Sequence, residues 1–300
     1  MDVPRSTEFD VGRRFGQLMT WARRSATLVA TKRRIARHVV RNNYYWRVLD
    51  GLPAFRPNSE GDRQSLAALT MLAAHQTVPL MLQLLKHAGS DVLTLTDIET
   101  HGASSRRRED LDLLGSLFDR YGSDKADDHN YHLFYASAFD DRRTVRSVLE
   151  IGLGTNNPSI VSTMGRAGRP GASLRAFREF FPSARMFGAD VDRGILFVED
   201  RIDTCYVDQT DQASFAALSD LTGGDVDLII DDGLHAPNAN LAVLVYALDH
   251  LAVGGWVVIE DIGAEAVPLW QVVGALMPSA YACELLQARG GVVFAARRTG

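Results

Sequence analysis

The sequence predicts a two-part α/β protein: a helical N-terminal region, then a doubly wound sheet domain whose last strand runs antiparallel. Three observations predict it. Apolar residues recur at helical spacing through the first half of the chain. After about residue 144, short apolar runs alternate with helical ones, the pattern of a mostly parallel sheet covered by helices on both faces. The chain then closes on two strand-like runs joined by Ala288-Arg289-Gly290-Gly291, a hairpin that adds one antiparallel strand.

The elements follow in order. Phe15, Leu18, Met19, Ala22, Ala26 and Val29 mark one face of a helix reaching to Val40, with Arg23, Arg24, Lys32, Arg33, Arg34 and Arg37 mostly on its other sides. Gly51-Leu52-Pro53 breaks that pattern. Gln64 to His87 is apolar on most sides and contains Pro79, which predicts a kink or two helices buried against something large. Ser104 to Arg120 carries Leu111, Leu114, Leu117 and Phe118 on one face. Five strands are expected at Val145–Ile151, Arg185–Ala189, Asp203–Val207, Val226–Ile230 and Trp256–Ile259. Helices fall between them at Ala172–Phe181, Gln212–Leu221 and Ala236–Leu251. Tyr281–Gln287 and Val292–Ala296 complete a seven-stranded sheet. The expected boundary between the two parts is 110/111.

Composition narrows the class. With 46% apolar and 23% charged residues, 25 Gly and 10 Pro over 300 residues, the chain is neither disordered, collagen-like nor coiled coil. Two cysteines, Cys205 and Cys283, form no disulfide framework, and no run of about 20 uninterrupted apolar residues exists. A cytoplasmic location without a membrane partner is therefore expected. The net charge of −5 divides into +7 over residues 1–60 and −12 over the rest. A basic module of this kind suits a polyanion, a solvated helix face, or a surface docking on a neighbouring subunit. No nucleic-acid-binding motif accompanies it, so no nucleic-acid partner is expected.

The chemistry sits at the strand ends. Val148-Leu149-Glu150-Ile151-Gly152-Leu153-Gly154 is a buried strand running into a glycine turn, where open parallel sheets bind ligands. A dinucleotide turn places a third glycine where this chain has Asn157. The next strand ends in Asp190, an acid placed to take ribose hydroxyls. It lies 36 residues beyond Gly154, or 19 once the 17-residue insertion Thr155–Gly171 is discounted. That Gly- and Pro-containing insertion is expected to cover the site, as a lid or an ordered excursion. Asp208 follows the third strand, placed to accept from an adenine amino group; any of these acids alternatively caps a helix. Asp231-Asp232-Gly233-Leu234-His235 ends the fourth strand and Glu260-Asp261 the fifth. Asp232, Glu260 and Asp261 on one rim repel unless a proton or cation intervenes, and hard oxygen ligands suit Mg²⁺ or Mn²⁺. The bland alternative is turn-forming aspartates and a surface glutamate. His235, on the same rim, is suited to general-base work near neutral pH.

Taken together, Glu150-Ile-Gly-Leu-Gly154, Asp190, Asp208, Asp231 to His235, Glu260-Asp261 and the terminal hairpin resemble class I S-adenosylmethionine-dependent methyltransferases, with their Rossmann-like sheet. More narrowly they resemble the metal-dependent macrolide-sugar O-methyltransferases of the mycinamicin and macrocin type. Tyr121-Gly122-Ser123-Asp124-Lys125 with His129-Asn130-Tyr131, and the insertion from Asn156 to Arg175, support the narrower match. The resemblance implies S-adenosylmethionine held by Glu150, Gly152, Gly154, Asp190, Asp208 and Asp231, with Ser123 and Lys125 near its methionine end. It implies Mg²⁺ on Asp232, Glu260 and Asp261, His235 as catalytic base, and a glycosylated small-molecule acceptor. It also implies an N-terminal auxiliary domain over 1–110 that assembles a homo-oligomer, dimer or tetramer, and a methyltransferase domain over 111–300. An NAD-dependent oxidoreductase on a similar sheet, or a non-catalytic polyanion-binding scaffold, are the alternatives.

Overall fold

A computed structural model describes residues 43–104 and 108–300. The helix expected before Val40, and with it most of the basic module, lies outside the described residues. The chain forms two compact units that divide at Val78/Pro79, ahead of the expected 110/111.

In the first unit, Leu49, Leu66 and Ala67 form a small buried cluster. The helix Arg63–His87 crosses the division and runs through Pro79 as one element, not as two helices. Its N-terminus is capped by the Asp62 carboxylate, which accepts from the amides of Gln64 and Ser65 at 3.1 and 3.0 Å. Leu69, Leu72, Leu80 and Leu84 are exposed on it among the described residues, against the expectation of burial. By length and composition alone it is apolar enough to cross a membrane.

The second unit holds a nine-stranded sheet. Its strands are β1 (Leu95–Asp97), β2 (Ser147–Ile151), β3 (Arg185–Asp190), β4 (Val198–Glu199), β5 (Ile202–Tyr206), β6 (Val226–Asp231), β7 (Leu251–Ile262), β8 (Tyr281–Gln287) and β9 (Val292–Arg298). They lie in the order β1-β8-β9-β7-β6-β2-β3-β5-β4. The seven expected strands are all present, and β9 runs antiparallel to both neighbours. The two additions, β1 and β4, are edge strands of three and two residues, too short and too exposed to leave an apolar signature.

Period-two alternation sorts the strands' side chains onto two cores. Val148, Leu228, Ile230 and Val258 face one core, packed with Phe118 from helix Arg108–Tyr121 and Phe177 from helix Ala172–Phe180. Leu149, Ile151, Ile229 and Ile259 face the other, against Val243 and Ala247 of helix Pro237–His250 and Trp270 of helix Val267–Leu276. This last helix, absent from the sequence expectation, carries the crossover from β7 to β8. Between Ile259 and Ile262 the register of β7 against β9 shifts, a bulge at Glu260-Asp261.

Candidate active site

The carboxyl ends of β2, β3, β5, β6 and β7 meet along one rim. Gly152, at φ 99°, closes the turn after β2, and a Cβ there would collide with the Asp232 carbonyl oxygen. The turn is tied on both sides: the Gly152 amide donates to Ala189 and the Asp232 amide to Ile151, each at 2.8 Å. A cavity of about 240 Å³ opens above it, lined by Gly152, Gly154, Asp190, Asp208, Gln209, Asp232 and Leu234 among others. Of the expected cofactor residues, Gly152, Gly154, Asp190 and Asp208 thus line one cavity. The insertion supplies Thr155, Ile160, Val161 and Ser162 to its wall. It is tied by the Met164 amide donating to the Thr155 carbonyl at 2.9 Å.

Both Asp190 oxygens accept backbone amides, from Leu153 and from Asp192, each at 2.8 Å. The carboxylate therefore fixes the glycine turn to the end of β3 as well as lining the cavity. Burial pushes its carboxyl upward, and those amides pull it back. Asp208 accepts from the Thr210 amide and hydroxyl at 2.8 and 2.7 Å.

The other four expected cofactor residues do not line the cavity. Glu150 alternates onto the opposite face from Ile151 and is fully buried, accepting from the Ser173 hydroxyl at 2.5 Å. Asp231 is fully buried and accepts from Gln209 at 2.7 Å and Asn240 at 2.8 Å. Gln209 also accepts from the Leu234 amide at 2.8 Å, so the pair braces the loop carrying Asp232 and His235. Ser123 folds back over the end of helix Arg108–Tyr121, its amide donating to Phe118 at 2.9 Å, and does not line the cavity. Lys125 does not line it either.

Lys125 instead enters the acids. Its Nζ lies 2.6 Å from Asp232 Oδ2 and 3.5 Å from Glu150 Oε1, and it hydrogen bonds to Glu260. Burial opposes its charge, but Asp232, Glu260 and Glu150 outweigh that and hold the ammonium protonated. Glu260, expected on the open rim, is fully buried on the same face as Glu150. Its other oxygen accepts from Tyr135 at 2.6 Å. Burial, then Glu260, keeps that phenol protonated and a donor.

What remains open on the rim is Asp232, His235 and Asp261, each offering one ligand atom within 4.8 Å of the others. His235 Nε2 is 3.9 Å from Asp232 Oδ1 and 3.7 Å from Asp261 Oδ2. His235 and Asp261 both have left-handed backbones, φ 53° and 56°, which non-glycine residues adopt at a cost and which concentrate at functional sites. Alternation puts Glu260 and Asp261 on opposite faces of β7, and the bulge accompanies the left-handed Asp261 that reaches the rim. Tyr131 steadies it, donating to Asp261 Oδ1 at 2.5 Å. No spacing in the sequence signals the roles of Gln209, Tyr131 and Tyr135, whose partners here lie 22, 130 and 125 residues away along the chain.

The Glu150 carboxyl, raised to about 7 by burial against the pull of Lys125, makes a pH prediction. Between the ordinary glutamate value and 7 the folded state binds the proton that the unfolded state releases, so stability falls as pH rises through that window. Glu150→Gln removes this dependence. In denaturant titrations, the variant's stability relative to wild type is expected to rise by about 3 kcal/mol from pH 4.5 to 7. A pH-independent difference would count against it.

A glycine turn, strand-end acids around a cavity and the Asp232–His235–Asp261 cluster define a ligand site at the sheet rim. Residues 77–262 match the sequence profile of a methyltransferase domain, and the chain belongs to that family. This sets aside the oxidoreductase and scaffold alternatives. Among its relatives, the 8-demethyl-8-α-L-rhamnosyl tetracenomycin-C 2'-O-methyltransferase of Streptomyces olivaceus is 32% identical over 163 residues, covering 54% of this chain and 41% of that one. The mycinamicin VI 2''-O-methyltransferase of Micromonospora griseorubida is 34% identical over 170 residues, covering 55% and 39%. The chain thus matches about two fifths of these relatives' length. A solved structure, the MycE methyltransferase of the mycinamycin biosynthetic pathway in complex with Mg and SAH, superposes with a TM-score of 0.50 at 26% identity. The match covers 62% of this chain and 54% of that one.

Proposed function

We propose that this protein transfers a methyl group from S-adenosylmethionine to a sugar hydroxyl of a glycosylated natural product, with Mg²⁺. The single observation that carries the reading is that Asp232 belongs both to the cavity wall and to the Asp232–His235–Asp261 cluster. A ligand in the cavity and a cation on the rim would therefore be adjacent. The relatives' activities and the Mg and SAH of the solved neighbour support the same chemistry.

The residues present fit both groups. Cavity walls of Val191, Val207 and Leu234 suit an adenine ring, with the Asp208 carboxylate for its amino group and the Asp190 carboxylate for the ribose hydroxyls. Asp232 and Asp261 are hard donors, and His235 Nδ1 is buried without a hydrogen-bond partner among the described residues. Mg²⁺, held by Asp232 and Asp261, would lower the pKa of an acceptor hydroxyl. His235 Nε2, directed at the same pocket, takes the hydroxyl proton, and the rigid strand ends hold acceptor and donor in line. The same reading takes Glu260 as a further ligand, the N-terminal helical region as a self-association element and the cytoplasm as the location, on sequence grounds.

Calorimetry with S-adenosylhomocysteine tests the cavity assignment. The wild-type chain is expected to bind it, and Asp190→Ala to weaken binding by about 1–3 kcal/mol, through a lost charged partner and a loosened glycine turn. Undiminished affinity in the variant would remove Asp190 from the site.

A further inference from the structure

We propose that Lys125 is a built-in cation that competes with a divalent ion for the carboxylates of the rim. The inference rests on the reading of Asp232, His235 and Asp261 as a cation pocket. Lys125 is 1% exposed, and its ammonium sits between carboxylates brought by β2, the end of β6 and β7. Its place is fixed by the fold. Its carbonyl accepts the Tyr131 amide at 2.8 Å, and the neighbouring Asn130 accepts the Arg289 amide of the terminal hairpin turn at 3.1 Å.

Asp232 is divided between two duties. Oδ2 accepts from Lys125, while Oδ1 faces His235. Any ion taken by Asp232 shares that carboxylate with a positive charge, and recruiting Glu260 to the ion means drawing it from the same ammonium. Lys125 therefore keeps the acids together without a metal and weakens the grip on one when it arrives. The sign of this effect separates it from an ordinary buried ion pair. If Lys125 only braced the fold, its loss would scatter the carboxylates and weaken ion binding. As a competitor, its loss leaves the same carboxylates without their cation and strengthens binding.

The test is a Mn²⁺ titration of the whole chain and its variants, followed by electron paramagnetic resonance at one fixed pH of about 8, above the ordinary carboxylate range. Lys125→Met keeps most of the aliphatic stem, and Lys125→Gln keeps a hydrogen-bond donor without the charge, so the second decides if the first does not fold. Each folded variant is expected to bind Mn²⁺ on the order of tenfold more tightly than wild type. Unchanged or weaker binding beside a binding wild type would overturn the competition alone. A wild-type chain that binds no Mn²⁺ would instead overturn the cation pocket itself, and the inference with it.

Discussion

Replacing His235 by alanine is expected to lower the rate of methyl transfer by ~10²–10⁴, the range for a removed general base, while S-adenosylhomocysteine and Mn²⁺ still bind. The geometry accounts for the size. His235 Nε2 faces both open carboxylates, whereas His129 Nδ1, 3.4 Å from Asp261 Oδ1, reaches one of them. The strained backbone offers a control, because the left-handed conformation at φ 53° is costly for alanine as well. Asparagine adopts it more readily, so His235→Asn separates loss of the base from loss of the turn. Both variants are expected to be equally slow. Near-normal turnover in either variant would remove His235 from proton transfer.

The second large effect is expected at Asp232. Asp232→Ala removes a residue that lines the cavity, faces His235 and pairs with Lys125. Lys125 keeps Glu260 and Glu150 as partners, so the fold is expected to survive. Mn²⁺ affinity and turnover should then fall together, each by on the order of 10²-fold or more, since one remaining open carboxylate binds a hard divalent ion poorly. The contrast with Asp190→Ala is informative: there the cofactor is weakened and the ion retained. A variant that keeps its Mn²⁺ affinity but loses turnover would make Asp232 a cavity residue only.

Much of this was legible in the sequence because strand ends write themselves plainly: an apolar run, then glycine or acid. Gly152, Gly154, Asp190, Asp208, Asp232, His235 and Asp261 were all found that way, and all stand on the rim. What the run does not reveal is which side chain of a buried strand faces which layer. Glu150 and Asp231 end neighbouring strands on opposite faces, and alternation buries each in a different layer. Glu260 and Asp261 are adjacent, so alternation alone puts them on opposite faces, and the register shift in β7 that accompanies the rim position of Asp261 has no signature in the sequence. Lys125 is the least legible from local sequence. Its partners lie 107 and 135 residues away, and no local pattern announces a lysine that counters strand-end acids from another layer. The edge strands β1 and β4 were missed for a simpler reason: they bury too little to show a period.

The most direct test of the cation-assisted methyl-transfer reading is S-adenosylhomocysteine released from S-adenosylmethionine by the whole chain, with a panel of glycosylated acceptors, in Mg²⁺ and in excess EDTA. The account predicts turnover with Mg²⁺, its loss in EDTA and its return on adding Mg²⁺ back, while cofactor binding persists throughout. Full turnover in excess EDTA would contradict it.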